Sequence, residues 1–141
     1  MQEITSQKII INNSTADIQS AILSLENFAH VHGIPITTID RVNAAISELL
    51  ANIVQHSFPK NKQGEIGITL QLFDTGKLAI KLINKGIPFN PFYTSPPKYN
   101  NASKYKNMDS LGLHLVRKCM DEYNYKRIVD YNITWMSKEQ I

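Results

Sequence analysis

The sequence predicts a two-layer α/β sandwich: a mixed, mostly antiparallel sheet covered on one face by about three helices, with a long lid-like loop. Three observations predict it. Ile66, Ile68, Leu70 and Leu72 alternate with Gly67, Thr69 and Gln71, and 78–83 continue as an apolar run beyond Asp74-Thr75-Gly76-Lys77, which is a hairpin pattern. Helical spacing fills most of 15–57 ahead of that hairpin. The order strand, helix, helix, strand, strand, long loop, helix, strand, strand then interrupts antiparallel strands with helices. At 141 residues the chain is expected to be one domain, 1–141, with a core of ordinary size.

Lys8 to Asn12 is a β-branched run that reads as the first strand. Asn13-Ser14-Thr15 offers helix caps with Asp17 in the first turn, and Ile18, Ile22, Leu25, Phe28 and Ala29 keep helical spacing until Gly33. A second helix starts near Pro35 or Thr37-Thr38 and runs to about Ser57, where Pro59 ends it. After the hairpin, 84–110 carry Gly86, four prolines and little apolar periodicity, so a functional loop is expected there. Leu111, Leu113, Leu115, Val116, Cys119 and Met120 predict a third helix ending near Tyr123. Tyr125 to Asp130 and Ile133 to Ser137 predict a closing hairpin turned around Asp130-Tyr131-Asn132.

Composition narrows the function classes. An apolar share of 43% and a charged share of 19% suit a folded soluble domain. The net charge of +3 does not by itself imply nucleic acid. Lys98, Lys104, Lys106, Arg117, Lys118, Lys126 and Arg127 outnumber Asp109, Asp121 and Glu122 locally, which reads as a solvated face before it reads as an anion site. Cys119 is the only cysteine, so no internal disulfide or multi-cysteine metal site exists, and it is expected in the core. No apolar run reaches membrane-spanning length and the N-terminus lacks a signal-peptide pattern; a cytoplasmic setting without membrane contact is the expectation.

The chemistry concentrates in three places. Glu48, Asn52 and His56 recur every fourth residue and form one polar stripe on an otherwise apolar helix. Such a stripe suits a hydrated cation and an activated hydroxyl, although core polar groups or interface contacts give the same pattern. Asn84-Lys85-Gly86-Ile87-Pro88-Phe89-Asn90-Pro91 follows an apolar strand. Ser110-Leu111-Gly112-Leu113 opens the third helix, where glycine lets backbone amides approach phosphate.

Together, in this order, these segments resemble the anti-sigma-factor serine/threonine kinases of the GHKL (Bergerat-fold) ATPase superfamily. The resemblance runs from about Ile10 to Lys138. It rests on Glu48-Leu49-x-x-Asn52-x-x-x-His56, on Asn84-x-Gly86-x-Pro88-Phe89-Asn90-Pro91 and on Leu111-Gly112-Leu113-x-Leu115-Val116, with Met120-Asp121-Glu122-Tyr123 resembling the end of that family's last helix. It implies ATP and Mg2+ as cofactors, with Asn52 as metal ligand and Glu48 as the base for an attacking serine hydroxyl; the plainer alternative for Glu48 is an ion pair with a lysine. It further implies that Asn84, Gly86 and Pro88 floor the adenine pocket, walled by Ile87 and Phe89. A lid is implied over about 93–110, with Gly112 and Leu113 donating amides to phosphate and Lys106 or Lys104 reaching the terminal phosphate. His56 lines the phosphate site or, by preference, caps the helix end. The implied partners are a sigma factor and a small antagonist (anti-anti-sigma) domain carrying the target serine or threonine, and the implied assembly is a homodimer; nucleic acid is not among them.

The sequence departs from the family's pattern at three positions. Asn84 stands where an aspartate usually accepts the exocyclic amine of adenine, so the acceptor is uncharged and its NH2 group needs a partner of its own. Asn90 also replaces a common aspartate, and Ser110 replaces the first glycine of the second glycine box. These departures motivate a second reading, a non-catalytic pseudokinase that regulates by protein contact. A third, the ATP-binding half of a sensor histidine kinase, fits less well, because His30 and His32 end a short helix and none precedes it with a phosphoacceptor histidine.

Overall fold

The computed structural model describes residues 2–92 and 116–139. In chain order the elements are β1 (Glu3–Asn12), α1 (Thr15–Val31), α2 (Ile36–Ser57), β2 (Glu65–Phe73), β3 (Leu78–Lys85), β4 (Glu122–Ile128) and β5 (Tyr131–Lys138). The five strands form one sheet in the order β1-β2-β3-β5-β4, and every pairing is antiparallel.

Local chemistry explains the helix ends. The Ser14 hydroxyl accepts from the Asp17 amide at 3.2 Å, while Asp17 Oδ2 accepts from the Asn12 amide at 2.7 Å, so two backbone donors are satisfied reciprocally at the start of α1. Gly33, at φ +69°, takes the left-handed conformation that stops it. Pro35 precedes α2 as its N-cap without a side-chain hydrogen bond; the Thr38 and Ile39 amides bond to the Pro35 carbonyl. Val42, Ala45, Ile46, Leu49, Leu50 and Ile53 form its fully buried face. They pack on Ile66, Ile68, Leu70, Leu78, Ile80 and Leu82, whose side chains share one face of the sheet because alternate strand residues point the same way.

The second layer thus lies on one side of the sheet, as expected. Two strands are longer than the sequence suggested, β1 by five residues at its start and β3 by two at its end. The third helix is corrected. Residues 116–119 are helical, but the chain leaves the helix at Met120, and the Asp121 amide bonds to the Ser137 carbonyl at 3.0 Å. Glu122 and Tyr123 therefore open β4 rather than close a helix. Buried Val116, Cys119 and Met120 carry the helical apolar pattern up to that point, and β4 is a polar edge strand with little pattern of its own. The closing turn is also corrected: it lies at Val129-Asp130, with Ile128 paired to Tyr131, so Tyr131 and Asn132 belong to β5. Val129 holds φ +54°, an uncommon state for a β-branched residue, which is why nothing in the sequence marked it as the turn.

Candidate functional site

α2 carries the site. Its 3.6-residue repeat sets Glu48, Asn52 and His56 in one line, with Glu48 and Asn52 half-buried and His56 exposed. Among the described residues Glu48 takes part in no ion pair, so the plainer alternative of a lysine partner finds no support there. The His56 ring stacks on Phe89, with centroids 5.1 Å apart and planes at 28°. That stack joins the helical stripe to the 84–91 segment and gives His56 a packing role.

The two segments meet more tightly one residue later. Ser57, the last residue of α2, is completely buried. Its carbonyl accepts from the Ile87 amide at 2.8 Å, and its hydroxyl donates to the Ile87 carbonyl at 2.9 Å. Gly86 makes this approach possible. A Cβ there would lie 2.5 Å from the Ser57 carbonyl oxygen, 2.8 Å from its Oγ and 3.1 Å from Asn84 Nδ2. Glycine at 86 is thus a requirement of the backbone's approach to the helix end.

Asn84 is 3% exposed and sits within β3 rather than after it, directly opposite Asn132 of β5, which is 2% exposed. Directly opposed residues of an antiparallel pair share a face, so both amides point to the helix side. Asn84 Nδ2 donates to Ser57 Oγ at 2.7 Å, and Asn132 Nδ2 donates to the same oxygen at 2.9 Å and to the Ile87 carbonyl at 2.8 Å. Asn132 Oδ1 accepts from the Phe89 amide at 3.1 Å, from Arg127 Nη1 at 3.2 Å and from the Tyr125 hydroxyl. Arg127 Nη1 also donates to the Gly86 carbonyl at 2.7 Å. The NH2 group of Asn84, an open question in the sequence, therefore has a protein partner in Ser57.

The remaining predicted residues divide. Pro88 and Ile87 are exposed on the turn and Phe89 is half-buried. Asn90 Oδ1 accepts from the Phe92 amide at 2.9 Å, an Asx-type turn, and Arg117 donates to the Phe92 carbonyl at 3.1 Å. Lys104, Lys106, Ser110, Gly112, Leu113 and the expected lid at about 93–110 lie outside the described residues. Ser57, Asn132, Tyr125 and Arg127 were missed. Strand parity held the signal for one of them: Asn132 is in phase with core-facing Thr134 and Met136, but a turn reading hid it.

A cleft of about 1080 Å³ lies at this end of the sheet, lined by Gly67, Ile83, Gly86, Ile87, Arg127 and Tyr131 among others. It includes Asn84, Gly86 and Ile87 but neither Glu48 nor Asn52. The one described pair with displaced pKa values sits at the other end of β3. Lys77 bonds to Glu122 at 3.1 Å, which holds the Glu122 carboxyl below its ordinary value and raises the Lys77 ammonium. Among the described residues no group of three His, Cys, Asp or Glu side chains is placed to hold a metal. Asn52 instead offers a half-buried amide oxygen, a hard donor that fits magnesium, which takes its remaining ligands from phosphates and water.

The family profile of the histidine kinase-like ATPase domain matches residues 11–138. The chain belongs to the histidine kinase-like ATPase family. Membership implies use of ATP, and the resemblance to the anti-sigma-factor kinases holds. Among the family's curated members, the chain is 31% identical over 105 residues to a serine-protein kinase RsbW of Bacillus mycoides, covering 71% of this chain and 64% of that one. It is 26% identical over 104 residues to the RsbW of Listeria innocua, covering 71% and 66%. The chain thus spans about two thirds of the length of these relatives. Solved structures share the fold. The RsbU and RsbW domains of Rv1364c from Mycobacterium tuberculosis align at TM-score 0.70 and 15% identity over 96% of this chain and 32% of that one. The SiaB–SiaC complex from Pseudomonas aeruginosa aligns at TM-score 0.61 and 14% identity over 97% and 90%. Among the described residues no helix is long and apolar enough to cross a membrane.

Proposed function

We propose that the chain is an ATP- and magnesium-dependent serine/threonine protein kinase of the anti-sigma-factor type. One observation carries the reading: a chain of the histidine kinase-like ATPase family keeps Glu48 and Asn52 one turn apart and half-buried on one helix face. The names of its relatives, serine-protein kinase RsbW, support the same class. Its partners on this reading are a sigma factor and a small antagonist domain, its assembly a homodimer, and its setting the cytoplasm.

Asn52 would hold magnesium through its amide oxygen, and the ion would supply neutralisation of the nucleotide phosphates' charge. Glu48 orients the seryl or threonyl hydroxyl of the antagonist and takes its proton. That oxygen bonds to the terminal phosphorus as the bond from phosphorus to the bridging oxygen breaks, and ADP leaves. Asn84, Gly86 and Pro88 bind the base, and Gly112, Leu113 and Lys106 receive the phosphates. Catalysis in such a site is positioning and charge stabilisation, with one proton transfer.

The test uses the full chain, labelled ATP, magnesium and a candidate antagonist domain. Glu48→Gln is expected to bind ATP as the parent does and to lose about 10²–10⁴-fold in phosphotransfer. Undiminished transfer in that variant removes Glu48 as base. The non-catalytic reading, motivated by Asn84 in place of aspartate, predicts instead no calorimetric heat with millimolar magnesium-ATP.

A further inference from the structure

We infer that Ser57 and Asn132 are specificity-determining residues that fix which branch of the Asn84 amide meets the nucleobase. The inference rests on the proposed reading of Asn84 as the base-binding residue. It starts from hydrogen-bond bookkeeping that leaves little choice.

The orientation of Asn132 is forced. The Phe89 amide and Arg127 can only donate, so the Asn132 branch 3.1 Å and 3.2 Å from them is the oxygen. Its other branch is the NH2 group, which gives one hydrogen to the Ile87 carbonyl and one to Ser57 Oγ. Ser57 has a single hydroxyl proton, and at 2.9 Å it goes to the Ile87 carbonyl. One lone pair of Ser57 Oγ remains, 2.7 Å from the Asn84 amide, and only the NH2 branch of Asn84 can fill it. Asn84 Oδ1 therefore faces away from Ser57 as the branch available to a ligand. The amide presents an acceptor, which matches a 6-amino purine and mismatches a 6-oxo purine.

The lock has a finite strength. If Asn84 turned over, Ser57 would redirect its proton to Asn84 Oδ1 and abandon the Ile87 carbonyl, which keeps its bond from Asn132. The turned state thus loses the Ser57–Ile87 bond and leaves a Ser57 lone pair empty. A net hydrogen bond of this kind corresponds to roughly tenfold in an equilibrium constant. An oxo base can then bind by turning Asn84 over, so discrimination is capped at about that factor. An aspartate at 84 has no donor branch and no such escape.

Calorimetric titration of the full chain with magnesium-ATP and magnesium-ITP tests this. The parent is expected to favour ATP by about tenfold. Ser57→Ala removes the bias and should bring the ratio to within about twofold. Asn84→Asp should raise the ratio above the parent's, and in Asn84→Asp/Ser57→Ala the discrimination should persist, which a merely structural role for Ser57 does not predict. Equal affinity of the parent for both nucleotides, or an unchanged ratio in Ser57→Ala, overturns the inference while leaving nucleotide binding intact. Binding of neither nucleotide overturns the inference together with the ATP-site reading beneath it. Should Ser57→Ala not fold, as thermal unfolding would reveal, Asn84→Asp decides alone, and a ratio no higher than the parent's overturns the lock.

Discussion

The middle and the end of α2 are built on opposite principles. Around Glu48 and Asn52 the helix offers half-buried oxygen donors that, among the described residues, are tied into no ion pair. Five residues beyond Asn52, Ser57 is sealed from solvent and its hydroxyl is saturated by Ile87, Asn84 and Asn132. A buried polar group must be fully satisfied, because each missing partner costs about 1–3 kcal/mol. A half-buried one can stay exchangeable. On the proposed reading, the exchangeable end handles phosphate and proton, which change during turnover, and the saturated end holds the base, which does not.

The strongest way to break that contrast is Gly86→Ala. The added carbon would sit 2.5 Å from the Ser57 carbonyl and 2.8 Å from its hydroxyl, and neither can withdraw without breaking bonds to Ile87. We expect a loss of about 2–3 kcal/mol in unfolding free energy, read by urea denaturation. Unchanged stability would mean that the turn is loose and the saturated end is not built as described.

Asn52→Ala probes the exchangeable end and should behave in the opposite way. Unfolding free energy should move by no more than about 1 kcal/mol, because the half-buried side chain carries no core packing. Affinity for ATP should fall about tenfold or more in magnesium, about 1.4 kcal/mol, and stay near the parent's in EDTA. Equal losses in both conditions would take the metal away from Asn52.

The same contrast explains what was legible beforehand. The buried face of α2 and the alternation through 66–72 are written in apolar periodicity, so the layers and the central hairpin follow from the sequence. The exchangeable stripe is legible too, because polar residues every fourth position stand out against Leu49, Leu50 and Ile53. The saturated end is not. Its hub, Asn132, looks like a turn residue beside Asp130 and Tyr131, and only the register with β3 brings it opposite Asn84. The turn itself falls on Val129 at φ +54°, against local preference. Gly86 N bonds to the Asp130 carbonyl at 3.2 Å and Arg127 Nε to the Val129 carbonyl at 3.1 Å, so one tertiary and one local bond from the site hold a turn that its residues do not favour.

The smallest expected effect comes from the residue that joins the two ends. His56 closes the polar stripe, yet it is exposed and its ring stacks on Phe89. If it were a third member of the phosphate site, His56→Ala would weaken magnesium-ATP binding as strongly as Asn52→Ala does. If it packs the 84–91 turn against the helix, the variant should lose only the stacking, about 0.5–1 kcal/mol of stability, and leave ATP affinity nearly unchanged. His56→Phe then separates packing from charge: it keeps an aromatic face on Phe89 and should restore the stability lost in His56→Ala. Thermal unfolding and ATP titration of these two variants locate the boundary between the exchangeable and the saturated parts of α2, which the stack predicts to fall between Asn52 and His56.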